Sequence, residues 1–221
     1  MRFKDRSDAA RLLALALDKY KDSHPLVLAI PRGAVPMGQL IAAALEGELD
    51  VVLVRKIGAP FNPELAVGAV EEGGWTYVAP HAARVGADTT YFERERAEEM
   101  DVIRRRRALY TPHREPIEVK DRVVIVVDDG LATGASMKAA LHAIRERHPK
   151  RLVCAVPVGA PDSLEAIRPL ADELVCLYAP PGFRAVGAYY DAFPQVEDDE
   201  VRAALDAAPH GAPHGTHASE E

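Results

Sequence analysis

Apolar positions follow two patterns along the chain. Short, largely apolar runs alternate with longer amphipathic stretches. The apolar runs predict β-strands that are covered on both faces, as at the centre of a parallel sheet. The predicted strands are 26–30, 50–54, 122–127, 152–158 and 173–178. The predicted helices are 4–20, 35–45, 89–110, 134–147 and 163–170. This alternation favours an α/β fold with a doubly wound parallel sheet.

Two parts of the chain lack this alternation. The segment 57–68 contains Gly58, Pro60, Asn62 and Pro63, which predicts a mobile loop. Short strands are expected at Val70 and over 75–78. Residues 207–221 contain two copies of Ala-Pro-His-Gly followed by polar residues. Such a segment has nothing to bury, so we expect a disordered tail. Loose metal chelation is the weaker alternative for its histidines, which are His210, His214 and His217.

Composition narrows the class of protein. The 221 residues, 48% of them apolar, suit one domain with a large core, assigned to 1–206. No run reaches the roughly 20 apolar residues of a membrane helix, and no signal peptide is recognised, so a cytoplasmic protein is expected. The net charge of -7 disfavours nucleic-acid binding, despite the basic cluster 104–107. Two cysteines are too few for a disulfide framework or a zinc site.

The strongest candidate site lies in 123–137, where a buried strand ends at Asp128 and Asp129. Ligands of open α/β sheets bind at the carboxyl ends of the strands. The small residues that follow let backbone N–H groups surround an anion at the start of the next helix. Carboxylates accept hydrogen bonds from sugar hydroxyls, so the segment predicts binding of a nucleotide or a phosphorylated ribose.

This segment resembles the 5-phosphoribosyl pyrophosphate (PRPP) motif of type I phosphoribosyltransferases, an apolar strand, two acidic residues and Thr-Gly-x-Ser/Thr. Over about 26–178, the chain resembles stand-alone bacterial phosphoribosyltransferases whose acceptor is not established, with the helix 89–110 and everything beyond residue 180 outside the well-marked part. The resemblance implies the fold of that family and places Asp128 and Asp129 at the ribose hydroxyls. It also implies a loop around the 5′-phosphate that consists of Ala132, Thr133, Gly134, Ala135 and Ser136.

The motif departs from the family pattern at two positions. Gly130 replaces the usual branched aliphatic residue, from which we expect a looser loop. Ala132 stands where 6-oxopurine enzymes carry a carboxylate, and Leu-Ala-Thr-Gly over 131–134 is closest to adenine-type enzymes. The insertion 81–120, which contains the long predicted helix, has no counterpart in adenine-type enzymes. The acceptor base is therefore left open.

A second candidate segment is Pro31-Arg32-Gly33, after the first strand. An Arg-Gly turn can bring a guanidinium and backbone N–H groups to a pyrophosphate, although the same residues also form ordinary turns. The segment resembles the pyrophosphate loop of the family. The resemblance implies that Arg32 and Gly33 bind pyrophosphate and that a non-proline cis peptide bond lies within 31–33.

A third candidate is the pair Arg55 and Lys56, which precedes a Gly- and Pro-rich segment. Cations at this place stabilise a departing pyrophosphate, and a closing loop excludes water. The pair resembles the Arg-Lys pair before the catalytic loop of the family. This implies pyrophosphate binding by both residues and a catalytic role for Lys56 beside the two aspartates. A solvated pair is the alternative, and 57–74 contains no Lys or Arg, so a neighbouring subunit is one source of a further cation.

Members of this family cover the acceptor with a small hood. The segment 180–206 is the candidate hood, and its aromatic candidates for contact with the base are Tyr189, Tyr190 and Phe193. Packing of these side chains in the core is an equally open alternative.

Together these segments predict a Mg²⁺-dependent phosphoribosyltransferase of nucleotide salvage. It would transfer 5-phosphoribosyl from PRPP to a nitrogenous base and release pyrophosphate. Mg²⁺ would be held mostly by substrate and water, supported by Asp128 and Asp129. The expected partners are PRPP and a base, without nucleic acid or membrane, and a homo-oligomer is left open. The alternative is a non-catalytic regulator that binds PRPP or a nucleotide.

Overall fold

Two β-sheets organise the protein in a computed structural model that describes residues 1–208. The strands are β1 (Leu26–Ala29), β2 (Glu48–Val51), β3 (Val54–Ala59), β4 (Asn62–Glu71), β5 (Thr76–Val78), β6 (Val123–Val127), β7 (Arg151–Val158) and β8 (Glu173–Tyr178). The helices are α1 (Arg6–Ala16), α2 (Val35–Ala44), α3 (Thr89–Tyr110), α4 (Ala135–Glu146), α5 (Pro161–Ile167) and α6 (Asp198–Ala207). No described helix combines the length and the apolar character needed to cross a bilayer.

The central sheet is parallel throughout, with the strand order β2-β1-β6-β7-β8. Alternate side chains of its strands belong to opposite faces. Val27 and Ala29 of β1 join the core with α1 and α2, whereas Leu26 and Leu28 join the core with α4 and α5. Because both faces are covered by helices, the two neighbouring strands β1 and β6 are apolar at every position. The predicted doubly wound sheet is confirmed.

The smaller sheet is antiparallel, with the order β3-β4-β5. The prediction of a mobile loop over 57–68 was wrong, because this segment lies in the hairpin of β3 and β4. Gly58 allows the hairpin to close, since a β-carbon there would lie 2.6 Å from the carbonyl oxygen of Pro63. The pairing is irregular at Gly58, which is how a strand accommodates a proline. Phe92 of α3 packs on this sheet.

Two predicted elements are divided in the structure. The helix predicted over 4–20 ends at Ala16, and a 3-10 helix follows over Asp18–Ser23. The strand predicted over 50–54 separates into the end of β2 and the start of β3, which belong to different sheets. Neither boundary has a proline or glycine to mark it. The long helix predicted over 89–110 matches α3.

The last described segment returns to the N-terminus and then forms α6, which was not predicted. The Phe3 N–H donates to Tyr189, and the Asp191 N–H donates back to Phe3. Helix α6 begins with a capping box between Glu197 and Glu200. Apart from Ala207 and Ala208, the tail predicted over 207–221 lies outside the described residues.

Candidate active site

The carboxyl ends of β1 and β6 are adjacent and bring two of the candidate segments together. The turn after β1 contains a cis peptide bond between Pro31 and Arg32, as predicted. Gly33 of this turn lies against Asp129, because a β-carbon on Gly33 would be 2.0 Å from Asp129 Oδ2. The carboxylate pair and the Arg-Gly turn therefore form one site, as parallel neighbours in a sheet require.

Asp128 and Asp129 repel each other at the end of β6. Burial and the charge of Asp129 raise the pKa of Asp128. Burial also raises the pKa of Asp129, against the opposing effect of the Arg6 guanidinium. The Asp129 N–H donates to Asp128 Oδ1 at 2.9 Å. Two crowded carboxyl groups of this kind favour a cation or hydroxyl donors as ligands.

Arg6 of α1 is the main site residue that the sequence did not reveal. Its Nε and Nη2 donate to Asp129 Oδ2 at 2.9 and 2.8 Å. Its Nη1 donates to the Pro194 carbonyl at 2.6 Å, and its guanidinium lies 3.7 Å from the Phe193 ring centroid. Nothing in the sequence distinguishes this arginine from others at the start of an amphipathic helix, and only the fold brings it to Asp129.

The loop predicted to bind phosphate leads into α4. Gly134 has a φ of 72°, a backbone conformation that favours glycine, and no side chain caps the helix. Ala132, Thr133, Ala135 and Ser136 are exposed, so the first turn of the helix faces solvent. The Ala135 N–H donates to Thr133 Oγ1 at 3.5 Å. A helix N-terminus whose N-cap residue has no side chain can bind an anion.

Gly130 is buried and has a packing role. A β-carbon there would lie 2.4 Å from Val186 Cγ1. The sequence led us to expect a looser loop at Gly130 and gave no sign of this contact. The absence of a side chain at Gly130 makes room for Val186 of the candidate hood. The departure from the family pattern therefore accompanies close packing between the loop and the hood.

The candidate cations have different environments. Arg32 lies 3.5 Å from Glu197 and 3.8 Å from Asp198 at the start of α6. Arg55 forms a two-point ion pair with Glu99 of α3. Lys56, the next residue of β3, is exposed. Arg32 thus pairs with acidic residues at the start of α6, and Arg55 is engaged with α3.

Two of the three aromatic hood candidates, Tyr190 and Phe193, contact Asp129 or Arg6. The Tyr190 hydroxyl donates to the Asp129 carbonyl at 2.6 Å, and Tyr190 is only 2% exposed. The Phe193 ring contacts both the Tyr190 ring and the Arg6 guanidinium. Tyr189 packs on Phe183. Tyr190 and Phe193 therefore support the site, and Tyr189 is the more exposed of the two tyrosines.

A cavity of about 350 Å³ opens between these segments. It is lined by Arg6, Arg32, Gly33, Asp129 and residues 193–196. The Arg-Gly turn, the second aspartate and the candidate hood thus face a common space that can hold a polar ligand.

The basic cluster 104–107 contributes to the fold. Arg107 donates to Asp50 at 2.7 Å and to Glu72 at 2.6 Å, and its side chain is largely buried. Arg104 pairs with Asp101 one turn earlier in α3. The ion pairs of Arg107 join α3 to β2 of the central sheet and to the end of β4 in the smaller sheet, and that of Arg104 lies within α3. Two of the four arginines are therefore accounted for without nucleic acid.

Comparisons with known proteins agree on one family. The sequence model of the phosphoribosyl transferase domain matches residues 5–178. The Mycobacterium tuberculosis (strain H37Rv) protein named "Putative phosphoribosyl transferase Rv0571c" is 40% identical over 207 residues, 93% of this chain and 47% of the relative. The chain therefore spans about half the length of that relative.

Two further comparisons concern the fold and a shorter segment. The crystal structure of TT1426 from Thermus thermophilus is 50% identical with a TM-score of 0.84, covering 93% of this chain and 98% of that chain. A uracil phosphoribosyltransferase from Clostridium beijerinckii is 41% identical over 59 residues, 27% of this chain and 28% of the relative. The first similarity confirms the fold over nearly the whole chain.

Proposed function

Because the chain belongs to the phosphoribosyl transferase domain family, we propose that it catalyses Mg²⁺-dependent transfer of 5-phosphoribosyl from PRPP to a nitrogenous base. The observation that carries the proposal is the contact between Asp129 and Gly33. It joins the carboxylate pair, which precedes the loop at α4, to the Arg-Gly turn. One ligand with a ribose between two phosphoryl groups fits these three segments.

Different residues of the chain bind different parts of PRPP. Asp128 and Asp129 accept hydrogen bonds from the ribose hydroxyls, which relieves their mutual repulsion. The backbone N–H groups of 132–136 bind the 5′-phosphate at the start of α4. The guanidinium of Arg32 and the N–H of Gly33 bind the pyrophosphate.

The two aspartates fit a magnesium site that the substrate completes. Within residues 1–208, no group of three or more His, Cys, Asp or Glu side chains is arranged to hold a metal ion. The repulsion between Asp128 and Asp129 supplies the electrostatic reason for a cation, and carboxylate oxygens suit Mg²⁺. When bound with PRPP, Mg²⁺ supplies positive charge to the pyrophosphate.

In the transfer, the acceptor nitrogen forms a bond to C1′ of the ribose and gives up its proton to water as the bond from C1′ to the pyrophosphate oxygen breaks. The pyrophosphate departs with the electron pair of that bond. The carboxylate of Asp129 stabilises the positive charge that develops on the ribosyl group. Arg32 and Lys56 stabilise the leaving group, and Arg55 joins them once it leaves Glu99.

The acceptor is a nitrogenous base whose identity stays open. The motif over 131–134 is closest to adenine-type enzymes, whereas a relative that matches 27% of the chain is named for uracil. Incubation with PRPP, Mg²⁺ and a panel of purines and pyrimidines, read by pyrophosphate release, tests the proposal. Release that requires one base supports it.

The second candidate function is a regulator that binds PRPP or a nucleotide without catalysis. The pairing of Arg55 with Glu99 favours it, because this candidate cation is engaged away from the carboxylate pair. Calorimetry with PRPP in magnesium buffer distinguishes the two functions when it accompanies the base panel. Binding without pyrophosphate release for any base supports the regulator, and absence of binding contradicts both.

A further inference from the structure

Arg6 lies in α1, outside every segment that the sequence assigned to the ligand. Its side chain is 13% exposed and directs two N–H groups to one oxygen of Asp129. We propose that Arg6 is a positioning residue that holds Asp129 in the orientation that binds the ribose hydroxyls. This inference rests on the proposed function, because it assigns the residue that acts through Asp129 in the same site.

The orientation of Arg6 is itself fixed by the segment after the last strand. Nη1 donates to the Pro194 carbonyl, and the guanidinium plane lies against the Phe193 ring. A guanidinium is a rigid fork of donors, so anchoring one side fixes the direction of the others. Pro194 and Phe193 therefore set the position of the N–H groups that reach Asp129.

Three groups of Asp129 form hydrogen bonds: its carbonyl, its N–H and its carboxylate. Arg6 is the partner of the carboxylate. The Tyr190 hydroxyl donates to its carbonyl oxygen, and its own N–H donates to Asp128 Oδ1. Both Arg6 contacts are to Oδ2. Arg6 therefore leaves Oδ1 to accept a hydrogen bond from a ribose hydroxyl.

The positive charge of Arg6 offsets the negative charge that the two aspartates place in a largely buried site. A buried carboxylate beside another is strongly disfavoured unless a cation compensates it. The segment 57–74 contains no Lys or Arg, and Arg55 is paired with Glu99. Arg6 provides the compensating charge from within the same chain, at the carboxylate itself.

The experiment compares two ligands by calorimetry in magnesium buffer. Ribose 5-phosphate requires the aspartates and the phosphate loop, whereas inorganic phosphate requires only the loop. We expect Arg6→Gln to weaken ribose 5-phosphate binding by about tenfold or more, because Asp129 loses the charge-assisted hydrogen bonds that hold its carboxylate toward the ribose hydroxyls. Phosphate binding should stay within about twofold of wild type, because Arg6 does not contact the loop.

Two further variants separate positioning from folding. Arg6→Lys keeps the charge but lacks the two-donor fork, so its affinity for ribose 5-phosphate should lie between those of wild type and Arg6→Gln. Arg11→Gln is the matched control, because Arg11 lies on the same helix as Arg6 and is exposed to solvent. It should bind both ligands as wild type does.

The outcomes that overturn the inference are distinct from failure of the proposed function. Equal or tighter binding of ribose 5-phosphate by Arg6→Gln, or an equal loss of both ligands, contradicts positioning by Arg6 alone. If Arg6→Gln does not fold, Arg6→Lys provides the test. Wild-type affinity of Arg6→Lys for ribose 5-phosphate then contradicts the positioning role of Arg6. Failure of the wild-type protein to bind ribose 5-phosphate or PRPP contradicts the proposed function and, with it, this inference.

Discussion

The carboxylate of Asp129 lies against the backbone of Gly33, where a β-carbon would be 2.0 Å from Oδ2 and 3.1 Å from Nη2 of Arg6. Two segments that are about a hundred residues apart in the sequence thus share one point of contact. The contact joins a side-chain oxygen to the main chain of a turn. The carboxylate has room there only because residue 33 has no side chain.

Gly33→Ala should therefore disturb the site at this contact. The added methyl group displaces the Asp129 carboxylate from Arg6, and overpacking of this kind costs about 1–3 kcal/mol of folding free energy. We expect weaker PRPP binding by calorimetry and a lower melting temperature. Gly182→Ala is the control, because a β-carbon there meets no atom within 4 Å. Unchanged binding in Gly33→Ala would contradict the described geometry.

Asp129→Asn tests the proposed role of this carboxylate in the transfer. The amide keeps the shape but lacks the negative charge that stabilises the ribosyl cation, so turnover should fall by about 10²–10³-fold. PRPP affinity should fall less, because the phosphate loop is unchanged. The measurements are pyrophosphate release with the identified acceptor and calorimetry with PRPP. Unchanged turnover with lost binding would show that the role is wrong.

Glu99→Gln tests whether Arg55 can bind pyrophosphate. Removal of the carboxylate charge weakens the pair that engages the guanidinium. If Arg55 belongs to the pyrophosphate site, inorganic pyrophosphate should bind more tightly, by severalfold, in a calorimetric titration with Mg²⁺. Glu98→Gln, one residue earlier on α3, is the control and should leave the affinity unchanged. Equal affinities in both variants would remove Arg55 from the site.

Gly130 and Val186 should show a compensating pair of substitutions. Gly130→Ala places a methyl group 2.4 Å from Val186 Cγ1 and should lower the free energy of unfolding by about 1–3 kcal/mol. Val186→Ala creates space at the same contact. The double variant should be more stable than the sum of the two single effects predicts. Denaturant unfolding of the four proteins measures this coupling, and strict additivity would contradict the contact.

Tyr110 should make stability depend on alkaline pH. Burial and its hydrogen bond to Asp198 raise the pKa of the phenol from about 10 to about 12. The neutral phenol is favoured in the folded protein, so its contribution is complete below pH 10 and is lost as the pH rises through the folded pKa. Tyr110→Phe should be less stable by about 1 kcal/mol at pH 8.

The difference between wild type and Tyr110→Phe should shrink above pH 10. Urea unfolding at pH 8, 10 and 11 measures it, and the comparison cancels the titration of residues common to both proteins. A difference that stays constant up to pH 11 would show that the phenol is not held in its neutral form by Asp198.

The sequence predicts well where the structure depends on neighbours along the chain. The run 123–127 is apolar at every position, and Asp128 and Asp129 follow it directly, so a buried strand with carboxylates at its end is a local property. The resemblance adds the Arg-Gly turn and its cis peptide bond, which the structure contains between Pro31 and Arg32. The roles of these residues toward PRPP stay predictions.

The sequence misleads where pairing between distant segments decides the backbone. Gly58, Pro60 and Pro63 are typical of a loop, yet β3 and β4 form a hairpin that α3 covers. Hydrogen bonds between strands and burial of Ile57 and Val67 outweigh the local turn preferences. Neither effect is visible in a window of neighbouring residues.

The strand, the two aspartates and the small-residue loop are readable from the chain alone, because each is set by residues next to one another. The contacts of Arg6 with Asp129, of Glu99 with Arg55 and of Val186 with Gly130 become visible only in the folded protein. These pairs come from elements far apart in the chain. Their meeting depends on how helices and strands pack, and that packing follows from the burial of the whole core.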